Sequence, residues 1–448
     1  MRKRTRKIRR ILALLCAAVM ILSCTACGDS GRNGSGAATP AAGRSETKTP
    51  TPTAASGPVS GEKKSGGSTQ MTGTSGTTPE GKPMDANMKK AYENFSYNLF
   101  RKLEGGTKMV SPFSLYAALG MFSNGAAGNT LAEINAMLGL TDAERNEYLT
   151  AWINSLTAEV EDGAKFTNAD SVWIREDRAP QVPKDFLRVC ADYYKSEVFA
   201  AKMNQGTVED VNEWVNLHTK GMIKKLLDKP NPAMAMLLLN AISLEAEWVE
   251  PFNTESIHKD ADFKHADGTV KKVDMMNGEA DHIFLENELV TGFVKSYKGG
   301  QFRYIALLPK EGVSMETLVN SLGAGSLDAL METKKSGKVY VSIPRYEEEY
   351  TVQLADILKT LGMKDAFDAN AADLSRLCSS PTVVDSVLQK TFISVDNKGT
   401  RAAAVTAIAV ADAAFSEPEP VYTVRLDRPF LYMITDGNNL PIFLGTYE

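Results

Sequence analysis

From Gly28 to Pro83 the chain contains no Leu, Ile, Phe, Tyr or Trp, and consists mostly of Gly, Ser, Thr, Ala and Pro. Such a stretch buries too little apolar surface to offset the entropy of ordering it. A packed core must therefore come from the residues that follow. The expected organisation is a signal peptide at 1–26, a disordered Gly/Ser/Thr/Pro-rich tether at 27–83 and one folded domain at 84–448. As a flexible coil, the tether has a root-mean-square span of about 40 Å, enough to hold a domain off a surface without orienting it.

The opening explains why a tether is needed. Arg2, Lys3, Arg4, Arg6, Lys7, Arg9 and Arg10 precede the uncharged, mostly apolar run Ile11–Gly28. A basic segment, an apolar run and small residues at its end read as a secretory signal. The run is short for a spanning helix, which needs ~20 apolar residues. Its end, Leu22-Ser-Cys-Thr-Ala-Cys27-Gly-Asp, resembles a bacterial lipoprotein cleavage box, with Cys27 as the residue to be lipidated. Cys24, preceded by Ile-Leu-Ser, is the second candidate, and plain secretion the third reading. The protein is expected outside the cell, either secreted or held at the membrane by that lipid.

Charge narrows the partners. The chain has 55 acidic and 50 basic residues, and seven of the bases lie in its first ten positions. A nucleic-acid binder needs a basic face, and the trimmed chain is acidic, so no nucleic-acid partner is expected. Only Cys190 and Cys378 lie in the folded part. Two distant cysteines make neither a metal knuckle nor a redox dithiol, and buried free thiols are expected over a disulfide between them.

The folded part starts with helical periodicity. Met88, Ala91, Tyr92, Phe95, Leu99 and Phe100 recur every three or four residues across Ala86–Lys102. Ser111-Pro112 opens a second helix that stops at Asn124-Gly125, and further helices are expected over Thr130–Leu138, Thr141–Ala158, Lys184–Tyr194 and Thr207–Thr219. Later segments read as strands: the apolar run Met236–Trp248, a hairpin turning at Asp267-Gly268, then Phe302–Pro309, Lys338–Arg345, Thr391–Asp396, Val421–Asp427, Phe430–Thr435 and Pro441–Tyr447. Helices first and antiparallel strands later indicate an α+β class with one large sheet.

Catalytic signatures are missing. The folded part has no His-Glu-x-x-His, no Gly-x-Ser-x-Gly and no phosphate-binding loop. His258 and His265 stand among acids at a spacing that fits no usual metal site. Neither an enzyme nor a cofactor or metal is expected. The oddest segment is Thr400–Phe415, half alanine and free of Gly and Pro. Alanine favours helix, yet the segment lacks the large apolar stripe that would anchor a helix on a core. A helix and an exposed loop both remain open on composition.

Six motifs in order resolve the ambiguity. Val110-Ser-Pro-Phe-Ser-Leu115 with Gly125-Ala-Ala-Gly-Asn-Thr130, Asn240-Ala-Ile-Ser-Leu-Glu-Ala-Glu-Trp248 with Pro251-Phe252, Val273-Asp-Met-Met276, Ala372-Asp-Leu-Ser375, Arg428-Pro-Phe-Leu431 and Pro441-Ile-Phe-Leu-Gly445 resemble serpin motifs across the whole of 84–448. The resemblance implies a serpin fold of about nine helices and three β-sheets with an exposed reactive-centre loop. It also implies a suicide inhibitor: a serine protease cleaves the loop, is held as an acyl-enzyme, and is trapped when the loop inserts into the central sheet. The runner-up is a serpin fold used only as a binding or carrier module.

Position by position, the resemblance makes Gly399, Thr400, Arg401, Ala402, Ala403, Ala404, Val405 and Thr406 the hinge. Ser111, Ser114, Asn240 and Gln389, with Trp248 above them, match the polar cluster and tryptophan where the sheet opens. Counting fourteen residues from Gly399 puts the scissile bond between Ala413 and Ala414, with Val410 and Phe415 as alternatives. An alanine there suits elastase-like proteases, with subtilisin-like ones also in range, whereas trypsin-like enzymes lack an Arg or Lys between Thr406 and Val424. The hinge residues themselves fit a strand. Thr400, Ala402, Ala404, Thr406, Ile408 and Val410 form one uncharged face, and Arg401 is tolerated only where the other face meets solvent. Two residues depart from the family pattern: Asn397 replaces the usual acid before the hinge, and Gln389 stands where many members have His. A monomer is expected.

Overall fold

The computed structural model describes residues 61–73, 78–400 and 419–448. Strand β1 (Thr69–Gln70) precedes a helical block of α1 (Ala86–Arg101), the short β2 (Lys108–Val110), α2 (Pro112–Ser123), α3 (Gly128–Leu138) and α4 (Asp142–Leu156). Strand β3 (Lys165–Arg175), α5 (Lys184–Tyr194), β4 (Glu197–Ala201), α6 (Gln205–His218) and β5 (Met236–Glu247) follow. Then come β6 (Ile257–Lys264), β7 (Val270–Glu279), β8 (Ile283–Glu286), β9 (Val290–Ser296) and β10 (Arg303–Pro309). Short helices α7 (Met315–Ser321) and α8 (Ser326–Glu332) lead to β11 (Lys335–Ser336), β12 (Lys338–Pro344), β13 (Tyr346–Gln353) and α9 (Ala355–Thr360). The remaining strands are β14 (Ser386–Val395), β15 (Gly399–Thr400), β16 (Val421–Arg425), β17 (Phe430–Thr435) and β18 (Pro441–Tyr447).

Three sheets result. The large one runs β1-β4-β3-β5-β15-β14-β13, with β5 also paired directly to β14. A second runs β11-β8-β9-β10-β17-β18-β2, and a third is β16-β12-β7-β6. Nine α-helices among the described residues and these sheets match the α+β architecture implied by the motifs.

Helix α2 occupies the centre. All twelve of its residues are buried, which its sequence permits because it carries no charge and is apolar on every side. Ser111 caps it, accepting the Ser114 N–H at 3.2 Å. The core face of the large sheet packs on this helix, with Phe166, Val172, Ile174, Leu238, Ile242 and Leu244 in the main cluster. The opposite face carries Trp173, Leu237, Leu239 and Ala241 under Val211 and Trp214 of α6. Cys190 and Cys378 are buried free thiols.

The folded body begins before residue 84. Gly61–Gly73, expected within the tether, docks on the sheet instead. Thr69 and Gln70 pair antiparallel with Ala200 and Phe199. The Ser68 N–H donates to the Asp210 carboxylate at 2.8 Å, and Val198 N–H donates to Thr72 Oγ1 at 3.2 Å. Large apolar side chains are not required here, because an open sheet edge offers backbone partners to any chain that can extend. Residues 78–83 also lie on the body, with the Lys82 N–H donating to Glu147 O at 3.0 Å, while the remaining tether residues, Cys27 among them, lie outside the described residues.

Candidate functional site: a notch in the central sheet

Strands β5 and β14 lie side by side and parallel, but only over part of their length. Ser386–Lys390 pair with Leu237–Ala241. Beyond those residues each strand keeps only its outer neighbour, β3 for β5 and β13 for β14. At the far end the space between them is filled by β15, where Thr400 pairs with both Ala246 and Val395, and Gly399 with Glu247. Two central strands are thus zipped at one end, parted in the middle and wedged by Gly399–Thr400 at the other.

The turn that delivers the wedge is built by Asp396. Its carboxylate accepts the Lys398 and Gly399 N–H groups at 2.7 and 3.1 Å, and its own N–H donates to Gly399 O at 2.9 Å. Glycine is needed at 399 because a Cβ there would lie 2.0 Å from Ala246 O. Thr400 is 2% exposed, on the core face, and its hydroxyl meets the Tyr297 hydroxyl at 2.5 Å. Burial holds the Tyr297 phenol well above its ordinary pKa, so it remains a neutral partner.

Trp248 braces the same corner. Its backbone N–H donates to Lys398 O at 2.8 Å, its indole Nε1 donates to Asp396 O at 3.0 Å, and Phe252 N–H donates to Asn397 O at 2.8 Å. The indole stacks on Tyr297 with centroids 4.3 Å apart and 12° between planes. Lys295 Nζ lies 5.7 Å from the Trp248 ring centroid and 4.6 Å from that of Phe252, and donates to Glu279 O at 2.8 Å. Burial lowers the Lys295 pKa to about 8.

At the zipped end the structure brings Ser111, Ser114, Asn240 and Gln389 together, all buried. Gln389 is gripped by the Ser111 backbone: Ser111 N–H donates to Oε1 at 2.9 Å, and Nε2 donates to Ser111 O at 3.0 Å. Nε2 also donates to Asn240 Oδ1 at 2.7 Å, so the two central strands share a side-chain bond at register partners Gln389 and Asn240. Asn240 Nδ2 donates in turn to Ser114 Oγ and to the Asp170 carboxylate. Trp248 does not join this cluster; it belongs to the far end.

Sequence reading had no role for Asp170, Asn168, Tyr297, Asp396 or Lys295. One signal was visible: Asn168 and Asp170 place polar groups at alternate positions of a strand that continues as Val172-Trp-Ile174, on the face that packs against the core. The hinge residues Arg401, Ala402, Ala403, Ala404, Val405 and Thr406, and the pair Ala413–Ala414, lie outside the described residues.

A sheet that holds a place for an added central strand, fed by the segment before an alanine-rich loop, defines the class. The chain belongs to the serpin family: residues 90–448 match the family described as Serpin (serine protease inhibitor). Serpins are mostly protease inhibitors rather than catalysts. An uncharacterised serpin-like protein of Thermococcus kodakarensis is 28% identical over 365 residues, covering 79% of this chain and 84% of that protein. The leukocyte elastase inhibitor of Equus caballus is 28% identical over 384 residues, covering 81% and 99%. Among solved structures, a thermophilic serpin, tengpin, in its native state is similar with a TM-score of 0.76 and 36% identity, over 83% of this chain and 96% of that one.

Proposed function

We propose that this chain is an extracellular suicide inhibitor of serine proteases. Its target's serine hydroxyl attacks the Ala413 carbonyl, the Ala414 amine leaves, and an ester to Ala413 remains. The freed strand, already started by Gly399–Thr400, then continues between β5 and β14 and carries the esterified protease with it. The reading rests chiefly on Gly399–Thr400 sitting in the notch, paired on both sides. Inhibitory relatives support protease inhibition in general, among them a protein named leukocyte elastase inhibitor.

Ala413 fits a shallow specificity pocket, so elastase-like proteases are the first targets to try and subtilisin-like ones the second. Ser111, Ser114, Asn240, Gln389 and Trp248 are the groups that must rearrange as the sheet opens. Lipidation at Cys27 would hold a monomeric inhibitor at the cell surface on its tether. Mixing the protein with pancreatic-type elastase and running denaturing gels tests the core of the reading. A covalent adduct larger than either protein is expected, and mass spectrometry of the released C-terminal fragment should place the cut after Ala413. Clean cleavage with no lasting adduct refutes the inhibitor assignment.

A further inference from the structure

The bond between Gln389 and Asn240 joins the strands that must separate, and its direction depends on a third group. Gln389 cannot turn over, because Ser111 presents an N–H to its oxygen and a carbonyl to its nitrogen. Its Nε2 therefore faces Asn240, which must answer with Oδ1. That leaves Asn240 Nδ2 pointing at Ser114 and Asp170. Ser114 passes its own proton on, donating to Asn168 Oδ1 at 2.5 Å, and Asn168 Nδ2 donates to the second Asp170 oxygen at 2.8 Å. The amide N–H groups of Asn240 and Asn168 both end on Asp170, and an ionised carboxylate, which only accepts, completes the ring.

We propose that Asp170 is the positioning residue of this latch: its ionised carboxylate holds Asn240 with the carbonyl toward Gln389, and a proton on Asp170 releases β5 from β14. A protonated Asp170 carries an O–H that meets only amide N–H groups. Rotating Asn168 instead would take its Oδ1 from the Ser114 hydroxyl that donates to it, so the amide that turns is Asn240's, which offers Oδ1 to Asp170 and sets Nδ2 against Gln389 Nε2, two donors face to face. The bond across the opening seam is then lost. This rests on the loop-insertion reading above and adds to it a control of when the sheet parts.

The surroundings make the proton available near neutrality. Asp170 is 2% exposed, and burial raises its carboxyl from the ordinary 3.8 to about 7, against the lowering effect of Asn240 and Asn168. No charged group faces it. Strand β5 brings Asn240, its own strand Asn168, α2 brings Ser114, and β14 brings Gln389 beyond Asn240; none of these titrates. Helix α6, with Asp210 and His218, covers the opposite face of the sheet.

Hydrogen exchange reads the latch directly, without a protease. Opening here parts β5 from β14 while β3 and β5 stay paired, so Asp170 stays buried and loses only the Asn240 donor that lowers its pKa. Exchange of the Leu237–Ala241 and Ser386–Lys390 amides, corrected for intrinsic rates, should then show opening that grows about fivefold from pH 8 to pH 6, the change expected if its pKa is about one higher in the opened form. In Asp170→Asn the opening should not vary with pH. In Gln389→Met, which lacks the latch and keeps the size, it should be high at both pH values. A flat parent profile, or the same slope in parent and Gln389→Met, overturns the proposal. Loop insertion is scored separately, by whether nicked protein resists heat, so loss of the latch and loss of the insertion reading are told apart.

Discussion

Thr400→Arg is the sharpest perturbation of the notch. Thr400 sits on the core face between Ala246 and Val395, with its hydroxyl on Tyr297 and the Trp248–Tyr297 stack beside it. Lys295, another cation, lies 5.7 Å from the Trp248 ring centroid of that stack. A guanidinium there replaces a hydroxyl seated against aromatic rings, and burying a charge without a built partner costs several kcal/mol. Taking ~4 kcal/mol for the seated strand, and about half of that in the transition state for insertion, slows insertion by about 30-fold. Insertion competes with hydrolysis of the acyl ester. A parent that traps about nine enzymes in ten would then trap roughly one in four, the remainder leaving as cleaved inhibitor. Titrating a fixed amount of elastase-type enzyme and weighing adduct against cleaved chain on denaturing gels measures that ratio. An adduct yield equal to the parent's would show that a charge at position 400 does not hinder trapping, and the insertion argument would fall.

Three further outcomes follow from the same geometry. Gly399→Ala places a Cβ against Ala246 O, so the wedge should be expelled and urea unfolding should show a loss of about 1–3 kcal/mol. Asp210→Ala removes the acceptor of the Gly66 and Ser68 N–H groups; hydrogen-exchange protection over 61–73 should collapse while adduct yield with the protease is retained. Lys295→Met should stabilise the protein at neutral pH. The folded-state pKa of Lys295 is depressed to about 8 from 10.5, so the unfolded chain binds the proton more tightly, and the penalty of burying the charge is present below pH 8 and relieved between about 8 and 10.5. The gain measured by denaturant unfolding should reach about 3 kcal/mol at pH 7 and shrink above pH 9; a pH-independent gain would mean that packing rather than charge is responsible.

The sequence carried the long periodic elements well and the short or polar ones poorly. Helix α5 and strands β17 and β18 lie where periodicity and β-branched content place them. Helices α7, α8 and α9 are six or seven residues long, too short to display a 3.6-residue period. Strand β13 escaped because Tyr346-Glu-Glu-Glu-Tyr350 reads as a solvated charge run; at the sheet's edge Glu347 and Glu349 face outward while Tyr346 packs inside and Glu348 is half-buried beside it. Strand β1 escaped because its attachment uses backbone and one distant aspartate, Asp210, which no local pattern reveals. The cluster residues Ser111, Ser114, Asn240 and Gln389 were legible only through motif resemblance. Asp170 completes their network, yet a lone acid in a strand carries no mark of its neighbours 70 residues away.

The notch also has a direction. In the uncleaved sheet β5 and β14 are the one parallel pair among the central strands, since β3–β5 and β14–β13 both run antiparallel. The wedge β15 is antiparallel to both of its neighbours. A strand growing from it therefore replaces one parallel interface with two antiparallel ones, the slightly stronger kind per residue, and removes two free edges from the middle of the sheet. While the loop is intact its far end is fixed at β16 in another sheet, paired with β12, so the strand cannot travel. Cutting the loop lifts that restraint without altering a single packed residue. Nicked protein should consequently melt well above intact protein in the same buffer, and the Thr400→Arg variant should show a smaller rise. Identical melting of intact and nicked parent would mean that the parted strands hold no unspent pairing, and the sheet would be merely irregular.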